Sequence, residues 1–371
     1  MQIFLDCAEA ISHGAIHAGC NFFAGYPITP ATSILFTMIR ELPKIGGIAI
    51  QAEDEIASMG LCIGAALTGK RVMTATSGPG ISLYSENVGL AIMGEVPMVI
   101  VNVQRMGPAT GSATTSAQGD IQFLRWGTSG GYPVIVLCPA SVSDCFTLTC
   151  RAFDLAERFR TPVFLATDKE TALTRTTVDK QTLEKIAVRQ REYAPTDKPF
   201  IPYKVNDLSD VPPMSYYGGP HLLRFTTSSH DEKGYLTKNP KHLEQLNRHL
   251  TAKINTHVNE ISLVKRDLEE GAEILIVSYG VTYSAAKSAV HKARRAGKRL
   301  SLLNVYSLWP VPELEIRAAL EGIKKIIIPE LNMGQYQREL ERLTRNDQEV
   351  VGIQRVDGDL ITPDQILESC F

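Results

Sequence analysis

Short apolar segments rich in β-branched residues alternate with helix-length segments along the first half of the chain. Five of these apolar segments predict strands: IAIQ from Ile48, RVMTATS from Arg71, VPMVIVNV from Val96, PVIVLC from Pro133 and TPVFLATD from Thr161. Strands that lack polar alternation and are separated by helices are typical of a parallel sheet covered by helices on both faces. The sequence therefore predicts an α/β fold built on a doubly wound parallel sheet.

The pattern changes between residues 188 and 265. Prolines, aromatic residues and polar residues mix without a period at the start of this stretch, and a charged helical segment follows. The alternation of strands and helices then returns, from AEILIVSYG to KKIIIPE. We therefore predict a larger α/β domain over residues 1–187, an irregular connection with a helix over 188–265, and a smaller α/β domain over 266–371.

Composition excludes several classes of function. The chain has 371 residues, 44% of them hydrophobic, and a formal net charge of -2, which argues against nucleic acid or an anionic membrane as a partner. No apolar run approaches the roughly 20 residues needed to span a bilayer. The N-terminal stretch also lacks the basic start of a signal peptide. We expect a cytoplasmic protein with no nucleic-acid or membrane partner.

The cysteines do not predict a metal centre. There are seven, none of them in a C-x-x-C pair, and most lie in apolar segments. Cys145 and Cys150 come closest to a pair, but no histidine or further cysteine nearby completes a ligand set. We expect reduced, buried thiols and no metal ion or iron–sulfur cluster in this chain.

Ligands of open parallel sheets bind outside the carboxyl ends of the strands, so the segments that follow the strands are the candidate sites. The first such segment is GYPITP, which begins at Gly25. Its ordinary explanation is a helix start, with Thr29 as N-cap and Pro30 at the first helical position. That explanation does not account for Tyr26 and Pro27, and a functional role of Thr29 stays open.

Three acids, Glu53, Asp54 and Glu55, begin the helix after the next strand. Acids are favoured there by the helix dipole, so a purely structural role is the simplest explanation. The helix that follows has a face of very small residues: Ala57, Gly60, Gly64 and Ala65. Because glycine inside a helix costs roughly 1 kcal/mol relative to alanine, this face indicates close approach of a cofactor or a subunit.

Two further segments add polar groups at the same edge. TSGPG, from Thr76, permits a tight turn with backbone N–H groups facing a ligand, but it is neither a P-loop nor a dinucleotide fingerprint. Arg105 ends the next strand, beside a loop rich in Gly, Ser and Thr, and its planar fork suits a carboxylate. The residues alone predict a ligand crevice that lacks a complete catalytic set.

In this order, the motifs resemble the α subunit of the 2-oxoacid:ferredoxin oxidoreductases, which use thiamine diphosphate. GYPITPATS resembles the Tyr-Pro-Ile-Thr-Pro corner of the family, and EDEIASMGLCIGAALTG with TATSGPG resembles the pyrimidine-binding half of thiamine-diphosphate enzymes. QRMGPATG with QGD, and SSHDEKGY from Ser228, are similar to the ferredoxin-dependent branch. RRAGKRLSLLNVYSLWPVPELE and PELNMGQYQREL resemble the C-terminal domain of transketolase. The resemblance implies a pyrimidine-binding domain followed by a smaller transketolase C-terminal-like domain.

The resemblance also implies roles for particular residues. Glu55 falls on the glutamate that hydrogen-bonds N1′ of the cofactor's aminopyrimidine, with Glu53 and Asp54 as competing choices. Thr29 and Arg105 fall on the residues that bind the 2-oxoacid. The remaining cofactor-binding residues implied are Tyr26, Pro27, Ile28, Ser77 and Gly78. The implied reaction is the coenzyme A-dependent oxidative decarboxylation of a 2-oxoacid to an acyl-CoA and CO₂, with electrons passed to ferredoxin.

Part of the family's machinery is missing from this chain. The Gly-Asp-Gly…Asn motif for Mg²⁺ and diphosphate has its only similar string in VDGDL, which contains Asp357 and lies too near the C-terminus. The resemblance therefore implies a β subunit that carries the Mg²⁺-diphosphate half and an iron–sulfur cluster, and also γ and δ subunits in some complexes. The chain alone is expected to be inactive.

The substrate is less well defined. The sequence as a whole resembles the 2-oxoglutarate branch of the family more than the pyruvate branch. The resemblance therefore favours 2-oxoglutarate, with pyruvate and branched-chain 2-oxoacids as the competing substrates. His221, Arg224, His230 and Lys233 could place a cation near a distal carboxylate, but a solvated connection is the favoured explanation of that region. Two competing functions are a two-subunit decarboxylase of the sulfopyruvate type and a non-catalytic subunit that serves assembly.

Overall fold

The computed structural model describes residues 2–371, except for the side chains of Thr182 and Glu184. Met1, the first residue of the predicted N-terminal domain, lies outside the described residues. The N-terminal part contains eight strands: β1 (Gln2–Asp6), β2 (Phe22–Gly25), β3 (Ile48–Gln51), β4 (Val72–Thr76), β5 (Met98–Gln104), β6 (Ile135–Leu137), β7 (Pro162–Asp168) and β8 (Arg175–Asp179). Its helices are α1 (Cys7–His17), α2 (Thr32–Glu41), α3 (Glu55–Leu67), α4 (Pro79–Leu83), α5 (Ser85–Met93), α6 (Ile121–Trp126), α7 (Val142–Phe159), α8 (Lys169–Leu173) and α9 (Lys180–Glu184), with a 3₁₀ turn at Leu42–Ile45.

The C-terminal part repeats the alternation on a smaller scale. Two helices, α10 (Pro240–Asn255) and α11 (Val258–Ile261), lead into it. Its strands are β9 (Val264–Asp267), β10 (Ile274–Ser278), β11 (Ser301–Val305), β12 (Ser307–Trp309), β13 (Lys325–Glu330) and β14 (Glu349–Gln354). Its helices are α12 (Thr282–Arg295), α13 (Glu313–Ala319), α14 (Gln337–Glu341) and α15 (Pro363–Cys370).

A seven-stranded sheet organises the N-terminal part, in the order β12-β6-β7-β5-β4-β2-β3. Six of its strands are mutually parallel, and β12 pairs antiparallel to β6. The chain goes from β2 outward to β3 and then crosses back over β2 to β4, so the strand order reverses between β2 and β4. Such a switch point opens a crevice at the carboxyl ends of the two strands.

Two apolar layers cover this sheet. On one face, α1, α2 and α7 bury residues such as Ile11, Met38 and Phe153 against the strands. On the other face, α3 and α5 share one continuous core with the C-terminal part, in which Phe164 and Trp309 belong to the same cluster. The predicted doubly wound α/β class is therefore confirmed.

The C-terminal part has its own five-stranded sheet, in the order β14-β13-β10-β11-β9, with β9 as the antiparallel edge strand. Strand β12 leaves this part and completes the N-terminal sheet, and Trp309 Nε1 donates to the Ile121 carbonyl at 3.2 Å. Gln118 fastens the junction again, because its backbone N–H donates to Leu331 O at 2.9 Å and its carbonyl accepts from Asn332 Nδ2 at 2.8 Å. The division at residues 187/188 and 265/266 stays a prediction.

Residues 185–239 contain no helix or strand, and a buried charge cluster fastens the segments that follow to the sheet. Glu95, in the turn before β5, accepts from Lys253 Nζ at 2.7 Å and from His249 Nε2 at 3.2 Å, both on α10. Arg160 donates to the carbonyls of Pro202, Pro212 and Pro213 at 3.1–3.2 Å. Arg160, at the end of α7, therefore holds the irregular segment, and Glu95 holds α10.

Two local predictions are wrong. Thr29 does not cap α2, which begins at Thr32 after Ala31 and has no side-chain cap. Pro30 lies in a turn before the helix and not at its first position, and the Thr29–Pro30 peptide is cis. Two helices, α4 and α5, follow β4 and meet at Tyr84. Among residues 2–371, every helix is too short or too polar to cross a membrane.

Candidate active site

The crevice at the switch point is formed by the loops that follow β2, β4 and β5, together with the first turn of α3. The structure therefore brings GYPITP, TSGPG and Arg105 to one edge of the sheet. Parallel pairing of β2 with β3 and β4, and of β4 with β5, places their carboxyl ends side by side. This convergence follows from the strand order, which the sequence alone does not provide.

Glu55 is the one buried acid of the three that begin α3. Asp54 is the N-cap, and its Oδ1 accepts from the Ala57 N–H at 2.7 Å. Glu53 is exposed, whereas Glu55 is 6% exposed. No group within residues 2–371 donates a hydrogen bond to the Glu55 carboxylate. The Glu55 carboxylate is therefore free to accept a hydrogen bond from a ligand.

Glycines make the space beside Glu55 and Arg105. A Cβ added at Gly80 would lie 2.7 Å from Glu55 Oε1 and would clash with the Thr76 side chain. A Cβ added at Gly78 would lie 2.6 Å from Arg105 Nε, and Gly78 has a φ of +51°. The turn after β4 therefore requires glycine for close approach at both positions and for backbone conformation at Gly78.

Arg105 is buried, but only two of its N–H groups donate hydrogen bonds within residues 2–371. Its Nη1 donates to the Thr29 carbonyl at 2.6 Å, and its Nη2 donates to the Thr110 carbonyl at 3.0 Å. Arginine has five N–H donors, so three of them are left. The Nε group is buried and has no acceptor within residues 2–371. The guanidinium is thus aimed by two backbone carbonyls and keeps donors for a carboxylate.

Thr29 meets Arg105 through its backbone, while its side chain is exposed. Tyr26, Pro27 and Ile28 occupy the preceding part of the same loop, and the Ile28 carbonyl accepts from the Thr32 N–H at 3.0 Å. Tyr26 is 37% exposed. The loop therefore presents side chains outward at the crevice and supports Arg105 with its carbonyl.

Buried polar atoms without a partner within residues 2–371 cluster at the same edge. They include Ser77 Oγ, Asn102 Oδ1, Gln104 Nε2 and Arg105 Nε. Burial lowers the pKa of the Arg105 guanidinium, and the Asp120 and Glu55 carboxylates oppose this shift. Unpaired polar atoms, glycine-made space and an acid without a donor together fit the pyrimidine half of thiamine diphosphate, which offers ring nitrogens and an amino group.

Asp120 is a site residue that the sequence did not single out. Its Oδ2 accepts from Asn102 Nδ2 at 2.9 Å, and its backbone N–H donates to Gln104 Oε1 at 3.1 Å. The signal available in the sequence was the QGD string after the Arg105 loop. Nothing in that string shows that the loop folds back on β5, because the contact spans 16–18 residues of irregular chain.

The other polar candidates lie elsewhere. His230 is buried, and its Nε2 contacts the Met93 carbonyl at 3.2 Å, near the amino end of β5 and away from Arg105. Arg224 stacks on Tyr235. Asp357, in the VDGDL string, pairs with Arg355 at 2.7 Å. Among residues 2–371 no group of three His, Cys, Asp or Glu side chains could hold a metal ion.

Comparisons with known proteins agree with this geometry. The model of the pyruvate flavodoxin/ferredoxin oxidoreductase thiamine-diphosphate-binding domain matches residues 13–248, and that of pyruvate:ferredoxin oxidoreductase core domain II matches residues 272–366. The 2-oxoglutarate synthase subunit KorA of Methanothermobacter thermautotrophicus is 41% identical over 367 residues, which cover 99% of this chain and 97% of that protein. The ketoisovalerate oxidoreductase subunit VorB of the same organism is 35% identical, with 97% and 94% covered.

A solved structure is similar over the whole chain. It is the 2-oxoglutarate:ferredoxin oxidoreductase from Magnetococcus marinus with 2-oxoglutarate, coenzyme A and succinyl-CoA bound. The TM-score is 0.93 at 32% sequence identity, and the match covers 100% of this chain and 64% of that chain. The resemblance inferred from the motifs is confirmed: this chain belongs to the pyruvate flavodoxin/ferredoxin oxidoreductase family.

Proposed function

We propose that this chain is the α subunit of a 2-oxoacid:ferredoxin oxidoreductase that converts 2-oxoglutarate, coenzyme A and oxidised ferredoxin to succinyl-CoA, CO₂ and reduced ferredoxin. The observation that carries the proposal is the buried Glu55 carboxylate, which lacks a donor and lies at the switch-point crevice with Arg105. The family match and the similarity to 2-oxoglutarate synthase subunits support it.

Glu55 would accept a hydrogen bond from the aminopyrimidine of thiamine diphosphate and hold a proton at ring nitrogen N1′. Burial makes this bond strong, because water does not compete for the carboxylate. Gly80 leaves room for the ring edge next to Glu55. The unpartnered Ser77 hydroxyl and the Gly78 turn would line the same space. Thiamine diphosphate, when bound, supplies the nucleophilic carbon and the electron sink for decarboxylation.

Arg105 would bind and orient the 2-oxoacid through its carboxylate. Two of its N–H groups donate to the Thr29 and Thr110 carbonyls, so the orientation of the remaining donors is already fixed before the substrate binds. Little side-chain entropy is therefore lost on binding. The Thr29 hydroxyl, in the same loop, would donate to the substrate carboxylate or to its carbonyl oxygen. Tyr26, Pro27 and Ile28 would form the wall between substrate and solvent.

The second half of the site would come from a β subunit. Helix α3 presents an uncovered apolar face, with Ile56 52% and Leu61 39% exposed. A Cβ added at Gly60 or Gly64 would meet nothing within 4 Å, so no group of this chain takes the space that these glycines leave. We propose that the β subunit packs there and carries Mg²⁺, the diphosphate half and an iron–sulfur cluster, with γ and δ subunits as further partners.

Two observations bear on the substrate. The relative with 41% identity is a 2-oxoglutarate synthase subunit, and the one with 35% identity is a ketoisovalerate oxidoreductase subunit. A branched-chain 2-oxoacid is therefore the second candidate. Both candidates carry a carboxylate that Arg105 could bind, so selection between them depends on what surrounds the remainder of the substrate.

The test is reconstitution of the chain with its β subunit and with any γ and δ subunits of the complex. We expect coenzyme A-dependent reduction of ferredoxin with 2-oxoglutarate at a higher kcat/KM than with pyruvate or 2-oxoisovalerate, and no turnover by this chain alone. We expect Glu55→Gln to abolish most activity, because the amide cannot replace a carboxylate acceptor that holds charge in a buried site.

Glu53→Gln is the matched control, because it makes the same change two residues away at an exposed position. It should keep activity, and circular dichroism should show that both variants fold. Activity of this chain without a partner, or wild-type turnover by Glu55→Gln, contradicts the proposal.

A further inference from the structure

The chain leaves β5 at Arg105 and returns to the same strand at Asp120, and we call residues 106–120 the return loop. At the far end of this loop, Asp120 Oδ2 accepts from Asn102 Nδ2 at 2.9 Å, and the Asp120 N–H donates to Gln104 Oε1 at 3.1 Å. Gln104 immediately precedes Arg105 in the sequence. The far end of the return loop therefore fixes the strand end from which the Arg105 side chain projects.

The return loop also orients the Arg105 side chain directly. Its Thr110 carbonyl accepts from Arg105 Nη2 at 3.0 Å. The chain around Thr110 is closed into a turn, because the Met106 N–H donates to the Thr115 carbonyl at 3.0 Å. The position of the Arg105 guanidinium thus depends on where the return loop is held.

The C-terminal part holds the return loop at two places, and the first is Gly358 in the string VDGDL. A Cβ added at Gly358 would clash with the Thr115 side chain and would lie 3.5 Å from Met106 Cε. Gly358 also has a φ of +90°, which favours glycine. The string VDGDL therefore packs against the base of the return loop.

The second place is formed by two amides of the string PELNMGQ, which includes the end of β13. Asn332 Nδ2 donates to the Gln118 carbonyl at 2.8 Å and to the Tyr279 hydroxyl at 2.9 Å. Asn332 Oδ1 accepts from the Gln335 N–H at 2.8 Å, and Gln335 Nε2 donates to the Gly119 carbonyl at 2.7 Å. Two consecutive carbonyls of the return loop are therefore held by side chains of the C-terminal part.

Burial makes the contact of Asn332 costly to lose. Asn332 is 3% exposed and Gln118 is 0% exposed. Without the Asn332 amide, the Gln118 carbonyl would be buried with no donor within residues 2–371, unless the chain moved to find one. Gln118 lies two residues before Asp120, so such a movement would reach Gln104 and Arg105.

We propose that Asn332 is a positioning residue of the 2-oxoacid site: it holds the return loop and thereby sets the place and orientation of Arg105. The proposal rests on the role proposed above for Arg105, as the group that binds the substrate carboxylate. A guanidinium binds a carboxylate best with two parallel N–H groups, and a displacement of about 1 Å weakens such an arrangement strongly. The C-terminal part therefore contributes to substrate binding through the return loop.

The test compares Asn332→Leu with the wild type in the complete reconstituted enzyme. Leucine has nearly the shape of asparagine, but it has no donor for the Gln118 carbonyl. We expect kcat/KM for 2-oxoglutarate to fall by about tenfold or more, while the KM values for coenzyme A and thiamine diphosphate stay at the wild-type level. A general disturbance of the fold would change all three. Asn346→Leu makes the same exchange at an exposed position of the C-terminal part and should behave as wild type.

A double-mutant cycle with Arg105→Gln shows whether Asn332 acts through Arg105. If it does, Asn332→Leu should change kcat/KM by less than about twofold once Arg105 has been replaced, whereas independent effects would multiply. Gln335→Met removes the donor to the Gly119 carbonyl and should act in the same direction as Asn332→Leu. It carries the same test if Asn332→Leu does not fold and assemble.

A wild-type kcat/KM in Asn332→Leu, or effects that multiply in the double variant, overturns the proposal. The single variant Arg105→Gln distinguishes this result from failure of the proposed function. If Arg105→Gln leaves kcat/KM for 2-oxoglutarate unaltered, the role of Arg105 is wrong, and that of Asn332 with it. If it lowers kcat/KM while Asn332→Leu does not, only the role of Asn332 is wrong.

Discussion

At the scale of single residues, the absence of side chains at Gly78 and Gly80 is as important as the functional groups around them. Gly80 lies against Glu55, and Gly78 lies against Arg105. The two glycines therefore allow an acid and a guanidinium from different elements to lie at one turn. A methyl group at either position would have to displace the functional group beside it, because the site is buried and has no room to relax.

We expect Gly80→Ala to reduce kcat/KM of the assembled enzyme by at least about tenfold, which corresponds to about 1.4 kcal/mol. The added Cβ would lie 2.7 Å from Glu55 Oε1, so the carboxylate must move. Steady-state kinetics with 2-oxoglutarate measures the effect, and circular dichroism checks that the chain folds. Ser82→Ala, at an exposed position of the same short helix, is the control and should behave as wild type. Full activity of Gly80→Ala would mean that the Glu55 carboxylate is not the group that binds the cofactor.

The sequence singled out Glu55 and Arg105 because they follow strands, and parallel strands bring their ends together. The structure places both residues at one edge of the sheet, and their roles stay predictions. The N-cap predicted at Thr29 is wrong, because residues 29–31 form a turn and α2 begins only at Thr32. Asp120 was missed, because its contacts depend on how an irregular loop folds back on β5, and hydrophobic periodicity carries no information about such a path.

At the scale of elements, helix α3 begins with the buried Glu55, whereas the face that carries Gly60 and Gly64 has open space beside it. Its first residue lies at the crevice, and further along the helix a Cβ added at Gly60 or Gly64 would meet nothing within 4 Å. The small-residue pattern had predicted close approach of a cofactor or a subunit. Within residues 2–371 no group fills the space beside these two glycines, so their presence in the helix still needs an explanation from outside this chain.

We expect Gly64→Ala to stabilise the isolated chain by up to about 1 kcal/mol, since alanine is the better helix former and its Cβ has free space. We expect Gly64→Leu to leave the isolated chain folded but to weaken its association with the β subunit, because the side chain fills the space needed for close packing. Thermal unfolding measures the first effect, and sedimentation of mixtures of the two subunits measures the second.

Lys287→Leu places the same side chain at an exposed position of α12 and should not affect association. Normal association of Gly64→Leu would mean that the partner packs on another face.

At the scale of the whole molecule, the charge cluster around Glu95 fastens the C-terminal half of the connection to the sheet. Burial alone would raise the pKa of the Glu95 carboxyl, but the Lys253 ammonium, His249 and Arg160 outweigh it, and the pKa lies well below its usual range. A depressed pKa means that the folded state binds fewer protons than the unfolded one. The cluster therefore stabilises the protein above about pH 4.3, the usual pKa of glutamate, and this contribution is lost as the pH falls further.

We expect Glu95→Gln to lower the free energy of unfolding at neutral pH by about 3–5 kcal/mol, because it leaves the Lys253 ammonium buried without its partner. The pH dependence of stability below about pH 4.3 should become shallower in this variant. The double variant with Lys253→Met should recover much of the loss, since no charge then remains unpaired. Urea unfolding at several pH values measures these effects.

Glu244→Gln, on the exposed side of α10, is the control and should change stability by less than about 1 kcal/mol. A Glu95→Gln protein with the stability and pH dependence of the wild type would show that the cluster does not fasten the connection.

The fold class could be predicted from the sequence, whereas the pairing of β12 could not. The strand and helix alternation on both sides of the connection gave the fold class, because buried parallel strands are continuous apolar runs. Strand β12 was not foreseen, since three residues, Ser307–Trp309, are too few for a pattern and their partner β6 lies about 170 positions earlier in the sequence. Such a pairing is decided by tertiary packing and not by local sequence.

Strand β12 belongs to the C-terminal part of the chain but completes the N-terminal sheet, so each part depends on the other for its structure. A break in the polypeptide anywhere in residues 188–239 would interrupt covalent continuity but would not release either fragment, because β12 remains inserted beside β6 and Gln118 remains fastened to Leu331. A gene divided at this point could therefore encode two shorter products that complement each other, whereas a deletion of the C-terminal fragment would leave β6 as a bare, aggregation-prone edge.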